Sequence, residues 1–158
     1  MILDERYEIK TVLKQADGYT LYHARHLRLE KTVWIQELDA GTEMADQAQQ
    51  RARAWSDCSA VEGMVHICDQ FGMNGKVYII YEAPTGQRLS EYLGEKGTLP
   101  ETELAGILMK LCKIFSPARS IGLDDLPVIV EKLYRQEDGT LSFFACVTEY
   151  GQRTDYVY

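Results

Sequence analysis

The chain has no apolar run long enough to span a bilayer, no run of four basic residues, no paired cysteines and no low-complexity tract. Each absence argues against a class of function. A transmembrane helix needs about 20 consecutive apolar residues, and the start, Met1-Ile-Leu-Asp-Glu, turns acidic where a secretory leader would turn apolar. Scattered Lys and Arg with a formal net charge of −7 argue against a nucleic-acid binder, which would gather its cations on one face. Cys58, Cys68, Cys112 and Cys146 form no C-x-x-C and have no histidine at zinc-ligand spacing. They are expected as buried free thiols in a reducing cytoplasm, with no metal bound. His23, His26 and His66 read as strand or surface residues. Ser116 and Ser142 lack the strand–turn–helix setting of a hydrolase nucleophile.

What is present is alternation and turn chemistry. At 158 residues the chain makes one domain or two small lobes, and this size buries roughly two-thirds of the unfolded surface. Polar and apolar residues alternate over Arg6 to Gln15. Asp17-Gly18 marks a tight turn, with return strands over Tyr19 to Leu27 and Thr32 to Leu38. Thr42 caps a helix to about Cys58, on which Ala45, Ala48, Ala52 and Trp55 recur at helical spacing. Val65 to Gly72 and Lys76 to Glu82 form a hairpin through Asn74-Gly75. Ala83-Pro84-Thr85-Gly86 breaks both flanking patterns and reads as a hinge between residues 1–83 and 84–158. Beyond it lie a short helix, Leu89 to Leu93, and a helix start at Thr98-Leu99-Pro100-Glu101. The apolar stripe Leu104, Ile107, Leu108, Leu111, Cys112 and Phe115 follows. Strands are predicted over Val128 to Tyr134 and Leu141 to Val147, around Asp138-Gly139. The fold class is α+β.

This order and spacing resembles a protein kinase from its first strand to just past its metal-binding loop. The resemblance implies a small lobe of five antiparallel strands and one helix, followed by a partial large lobe of helices and a β-hairpin, truncated soon after the D-F-G position. Aligning Leu21-Tyr22-His23-Ala24 with the end of the family's G-x-G-x-x-G-x-V puts Lys14, Ala16 and Tyr19 at the three glycine positions. Glycine is used there so that backbone N–H groups can approach phosphate oxygens closely. The V-A-I-K lysine position holds Gln36 in Val33-Trp34-Ile35-Gln36, and the helix glutamate falls near Gln50 to Ala52, none acidic. Trp34, two residues before Gln36, shares its strand face. It is either an indole filling the adenine pocket or an ordinary core residue.

The interval from Gly122 to Gly139 matches the family segment from the catalytic loop to the metal-binding loop. Laid on without a gap, the catalytic aspartate becomes Pro127, the metal-holding asparagine Lys132 and the D-F-G aspartate Ala145. Proline accepts no proton, and alanine offers no hard oxygen to magnesium. The resemblance therefore implies a catalytically inactive, pseudokinase-like domain that binds a protein partner and takes no cofactor, ATP included. Two other readings stay open. One is a divergent phosphotransferase using Lys14 or Lys132 with Asp124 or Asp125. The other is a cytosolic module of a membrane-anchored assembly such as a secretion machine. Tyr150, Tyr156 and Tyr158 near the end are candidate docking or modification sites.

Overall fold

The structure, a computed structural model, describes residues 1–56, 66–120, 132–144 and 146–149. The elements in chain order are β1 (Ile2–Leu3), β2 (Tyr7–Ala16), β3 (Tyr19–His26), β4 (Lys31–Asp39), α1 (Glu43–Ser56), β5 (Ile67–Met73), β6 (Lys76–Glu82), β7 (Gln87–Arg88), α2 (Leu89–Lys96), α3 (Glu101–Ser120), β8 (Leu133–Arg135) and β9 (Leu141–Phe143). A 3-10 turn over Val147–Glu149 follows. The class is α+β. The described residues fall into two compact units, one drawn from Met1–Asp57 with His66–Ala83 and the other from Cys58–Val65 with Pro84–Tyr158.

The first unit is an antiparallel sheet in the order β1-β2-β3-β4-β6-β5. The five expected strands become six because Ile2–Leu3 folds back on β2, pairing Ile2 with Glu8 and Leu3 with Tyr7. The reversal uses left-handed backbone at Asp4 and Glu5 (φ 51° and 54°), and the Arg6 guanidinium holds the Asp4 carboxylate across it. The Asp17-Gly18 and Asn74-Gly75 turns form as expected: Gly18, Asn74 and Gly75 have φ of 91°, 52° and 75°, the positive values that tight hairpin turns require. Thr42 caps α1, its Oγ1 accepting the Ala45 N–H at 3.1 Å.

Leu3, Tyr7, Ala24, Val33, Ile35, Tyr78 and Ile80 form a continuous apolar cluster on one face of the sheet. β2 carries extra residues at Lys10 and Leu13, between the pairs Ile9↔Ala24, Thr11↔His23, Val12↔Tyr22 and Lys14↔Leu21. Such bulges bend a strand and raise its twist. The sheet curls until its two margins meet. Arg6 Nη1 lies 2.8 Å from Asp69 Oδ2 on β5, and the guanidinium sits 5.2 Å from the Phe71 ring centroid. Tyr7 stacks on Phe71 at 6.3 Å. On the other sheet face the register sets Trp34, Gln36 and Leu38 of β4 beside Tyr81, Ile79 and Val77 of β6. α1 packs on β4, β5 and β6 with Ala45, Ala48 and Ala52 fully buried.

The second unit holds a three-stranded sheet, β7-β8-β9, where a hairpin was expected. The extra strand, Gln87–Arg88, is two residues long and has no periodicity to announce it. β8 and β9 run over fewer residues than predicted, and the stretch 128–131 lies outside the described residues. α2 packs on β7 and β8, and α3 on β9. Leu89, Leu133, Leu141, Phe143, Phe144 and Val147 are buried here. Gly86 is fixed by close approach: its φ is +87°, and a Cβ there would stand 2.4 Å from the Arg135 carbonyl oxygen.

α3 forms where the stripe predicts, with Ile107 and Leu111 half-buried, yet among the described residues part of its apolar surface is exposed. Leu104, Leu108 and Met109 are 47, 54 and 64% exposed. Cys112 on this helix and Cys68 on β5 are exposed, against the expectation of buried thiols, while Cys146 is buried. Cys58 lies outside the described residues. Helical period groups the residues of one face but does not supply a neighbour to bury them.

Candidate functional site

The candidate site is built on β4. Strand alternation sends Val33 and Ile35 into the apolar cluster and Trp34 and Gln36 to the opposite face. Gln36 is fully buried, and its Oε1 accepts the Tyr81 hydroxyl at 2.7 Å. The register explains the contact: Tyr81 pairs directly with Trp34, so it reaches Gln36 diagonally across two strands. Trp34 itself is half-buried, directly opposite His23 on β3 and Tyr81 on β6. A buried amide satisfied by a phenol is a neutral arrangement. A lysine ammonium about 4 Å from an anion would gain roughly 4 kcal/mol at an effective dielectric of 20, and this pair offers none of it.

Lys14 and Ala16 close β2, and Tyr19 opens β3. Ladder pairing continues to Ala16↔Tyr19, leaving a turn of only Asp17 and Gly18. Lys14 Nζ sits 5.8 Å from the Tyr19 ring centroid, so two of the three glycine-loop positions engage each other. On α1, Gln50 is exposed, Arg51 half-buried and Ala52 fully buried. No acidic side chain stands at the helix-glutamate position.

In the second unit Lys132 is half-buried just before β8, and its carbonyl accepts the Phe144 N–H at 2.9 Å. Phe144, Cys146 and Val147, which flank Ala145, are buried. Pro127, Asp124, Asp125, Ala145, Tyr150, Tyr156 and Tyr158 lie outside the described residues. The two units each carry part of the aligned positions, so the Gln36–Tyr81 pair and the Lys14–Tyr19 contact define the candidate site within the first unit alone. His26 serves structure: its ring meets Tyr7 edge-on at 5.0 Å, and Nδ1 accepts the Leu29 N–H at 3.1 Å. Ser142 sits in β9 opposite Tyr134.

Two arrangements escaped the sequence reading. On the sheet face opposite Gln36, Glu37 lies between two tyrosines. Tyr22 donates to Glu37 Oε1 at 3.4 Å, and Tyr78 also donates to this carboxylate. Burial first, then the Glu37 bond and charge, push the Tyr78 phenol up to about 12. Only the alternation of Tyr22 with Ala24, and of Tyr78 with Ile80, signalled that both tyrosines share Glu37's face. In the second unit an open pocket of about 650 Å³ is lined by Gly86, Gln87, Arg135, Gln136, Glu137 and Asp138. Arg135 stacks 4.2 Å from the Tyr92 centroid and donates to the Gln136 carbonyl at 3.3 Å. The lining carries one cation, Arg135, and two carboxylates, Glu137 and Asp138, so its formal charge does not favour an anion.

Among the described residues no helix is long and apolar enough to cross a membrane. No known family model matches the chain, and no curated protein matches it either.

Proposed function

We propose that the chain is a catalytically inactive, kinase-like domain that works as a cytoplasmic protein-interaction or regulatory module and does not bind ATP. The observation that supports this most is Gln36. The residue aligned with the nucleotide-binding lysine is neutral, buried and spent on the Tyr81 hydroxyl. The tight Ala16–Tyr19 turn supports it as well, because hairpin closure leaves no glycine-lined loop to wrap a phosphate. The substitutions at Pro127, Lys132 and Ala145 remove the groups that would accept a proton and hold magnesium. In this reading Trp34 fills space that an adenine would take.

The test is thermal unfolding with ATP and magnesium. A ligand present at 100 times its Kd adds about 2.7 kcal/mol of stability, a shift of several degrees for a chain of this size. The expected result is no shift for the wild-type chain. A clear upward shift overturns the reading, and Trp34→Ala reports separately on whether the indole is what excludes the base.

A further inference from the structure

Strand β1 is held to the sheet by little backbone. It pairs with β2 through Ile2↔Glu8 and Leu3↔Tyr7, and the Ile9 N–H reaches the Met1 carbonyl at 2.9 Å. The turn that folds it back places Asp4 and Glu5 in succession at left-handed φ, 51° and 54°, and neither is a glycine. Strain of that kind persists only where the surroundings hold it. Two features hold it here. Leu3 is buried in the apolar cluster with Tyr7, Val33 and Ile80. Arg6 ties the turn to β5, which stands at the opposite end of the sheet order from β1. Its guanidinium donates to Asp4 through Nη2 and, at 2.8 Å, through Nε, and to Asp69 on β5 through Nη1 at 2.8 Å. It also lies 5.3 and 5.2 Å from the ring centroids of Tyr7 and Phe71.

We propose that Met1–Glu5 is a strap that opens and closes as a unit on the intact sheet, with the Arg6 guanidinium as its latch. Opening peels β1 from β2, relaxes the Asp4–Glu5 turn and draws Leu3 out of the cluster, while the β2-β3, β3-β4 and β4-β6 ladders stay formed. A two-residue ladder and a strained turn make this the cheapest part of the sheet to release. The latch opposes release because one planar group, with donors on separate edges, serves a carboxylate of the strap and one of β5 together. Arg6, Asp4 and Asp69 are all partly exposed, so water takes over their bonds when the strap leaves and no buried charge is stranded.

The test is native-state hydrogen exchange of the full 158-residue chain in low urea. The Arg6 and Ile9 amides, bonded to the Leu3 and Met1 carbonyls, report the strap, and the Ile35 and Ile80 amides report the central ladder. Strap amides are expected to exchange through an opening that urea barely changes, because it exposes little surface, whereas ladder amides follow global unfolding and its steep urea dependence. Arg6→Met keeps an aliphatic stem without the donors and should speed strap exchange about tenfold. Asp69→Asn keeps the side chain's size and should speed it about threefold. Ala48→Gly on α1 weakens the open and closed forms alike, so it should speed the ladder amides and leave the strap amides unchanged. Strap amides that share the ladder's urea dependence overturn the proposal. So does strap exchange unmoved by both Arg6→Met and Asp69→Asn, or accelerated by Ala48→Gly as much as the ladder.

Discussion

A glutamine side chain is rarely fully buried, because it must leave water with two donors and two acceptor sites in need of partners. Gln36 meets part of that demand with the Tyr81 hydroxyl, and the two groups hold each other. Removing one partner should therefore cost more than removing both. Tyr81→Phe is expected to lose about 1–2 kcal/mol, since the buried amide oxygen gives up a donor it cannot replace from solvent. Gln36→Leu should cost a similar amount, because the buried phenol loses this acceptor. The double substitution should cost clearly less than the sum, a coupling of about 1 kcal/mol in urea unfolding. Additive losses would show that the contact carries no net energy. The substitution at position 36 was legible in the sequence because the strand pattern fixed its place. Its partner was not: Tyr81 lies 45 residues away, and only the β4–β6 register joins them.

At the scale of elements, long patterned segments were legible and short ones were not. β2, β3, β4, β6 and α1 all appear near their predicted limits, because alternation over seven or more residues, or a capped helical period, leaves one consistent face to bury. β1 and β7 span two residues each and owe their existence to the strands that accept them. The exposed face of α3 was not legible either, because a stripe of helical period reads the same with or without a neighbour. Gly86 shows how closely a short strand can be tied. Its positive φ and the 2.4 Å approach to the Arg135 carbonyl leave no room for a side chain, and that obstacle is backbone, which cannot rotate away. Gly86→Ala should cost at least about 2 kcal/mol, combining left-handed strain with separation of β7 from β8. Gly18→Ala makes a useful contrast. Its φ of +91° is as unfavourable, but the nearest atom is Met44 Sδ on a flexible side chain, so the loss should stay near 1 kcal/mol. Equal losses in urea titrations of the two variants would contradict this ranking.

The molecule as a whole carries ten tyrosines, and burial ties several of them to the sheet's stability at high pH. Tyr7 is raised above the ordinary phenol value by desolvation first, then by the charge of Asp69. Tyr22 is raised by desolvation and then by Glu37, and Tyr78 is raised to about 12. For each, the folded value lies above the unfolded one. Between pH 10 and 12 the unfolded chain releases the Tyr78 proton while the folded chain keeps it, so the folded state binds more protons and stability falls as pH rises. The contribution is fully present below pH 10. A rise from 10 to about 12 corresponds to about 2.7 kcal/mol, and because Glu37 is only half-buried the loss through this window should be nearer 2 kcal/mol for Tyr78 alone. Tyr7 and Tyr22 add to it in the same direction. Urea midpoints measured from pH 8 to 11.5 should therefore decline steeply above pH 10, and Tyr78→Phe should flatten part of that decline while leaving its neutral-pH slope unchanged. A variant whose alkaline decline matches the wild type would remove Tyr78 as its source. Glu37→Gln separates the causes further: it keeps the phenol buried but withdraws the carboxylate's charge, so it should give a decline between those of Tyr78→Phe and the wild type.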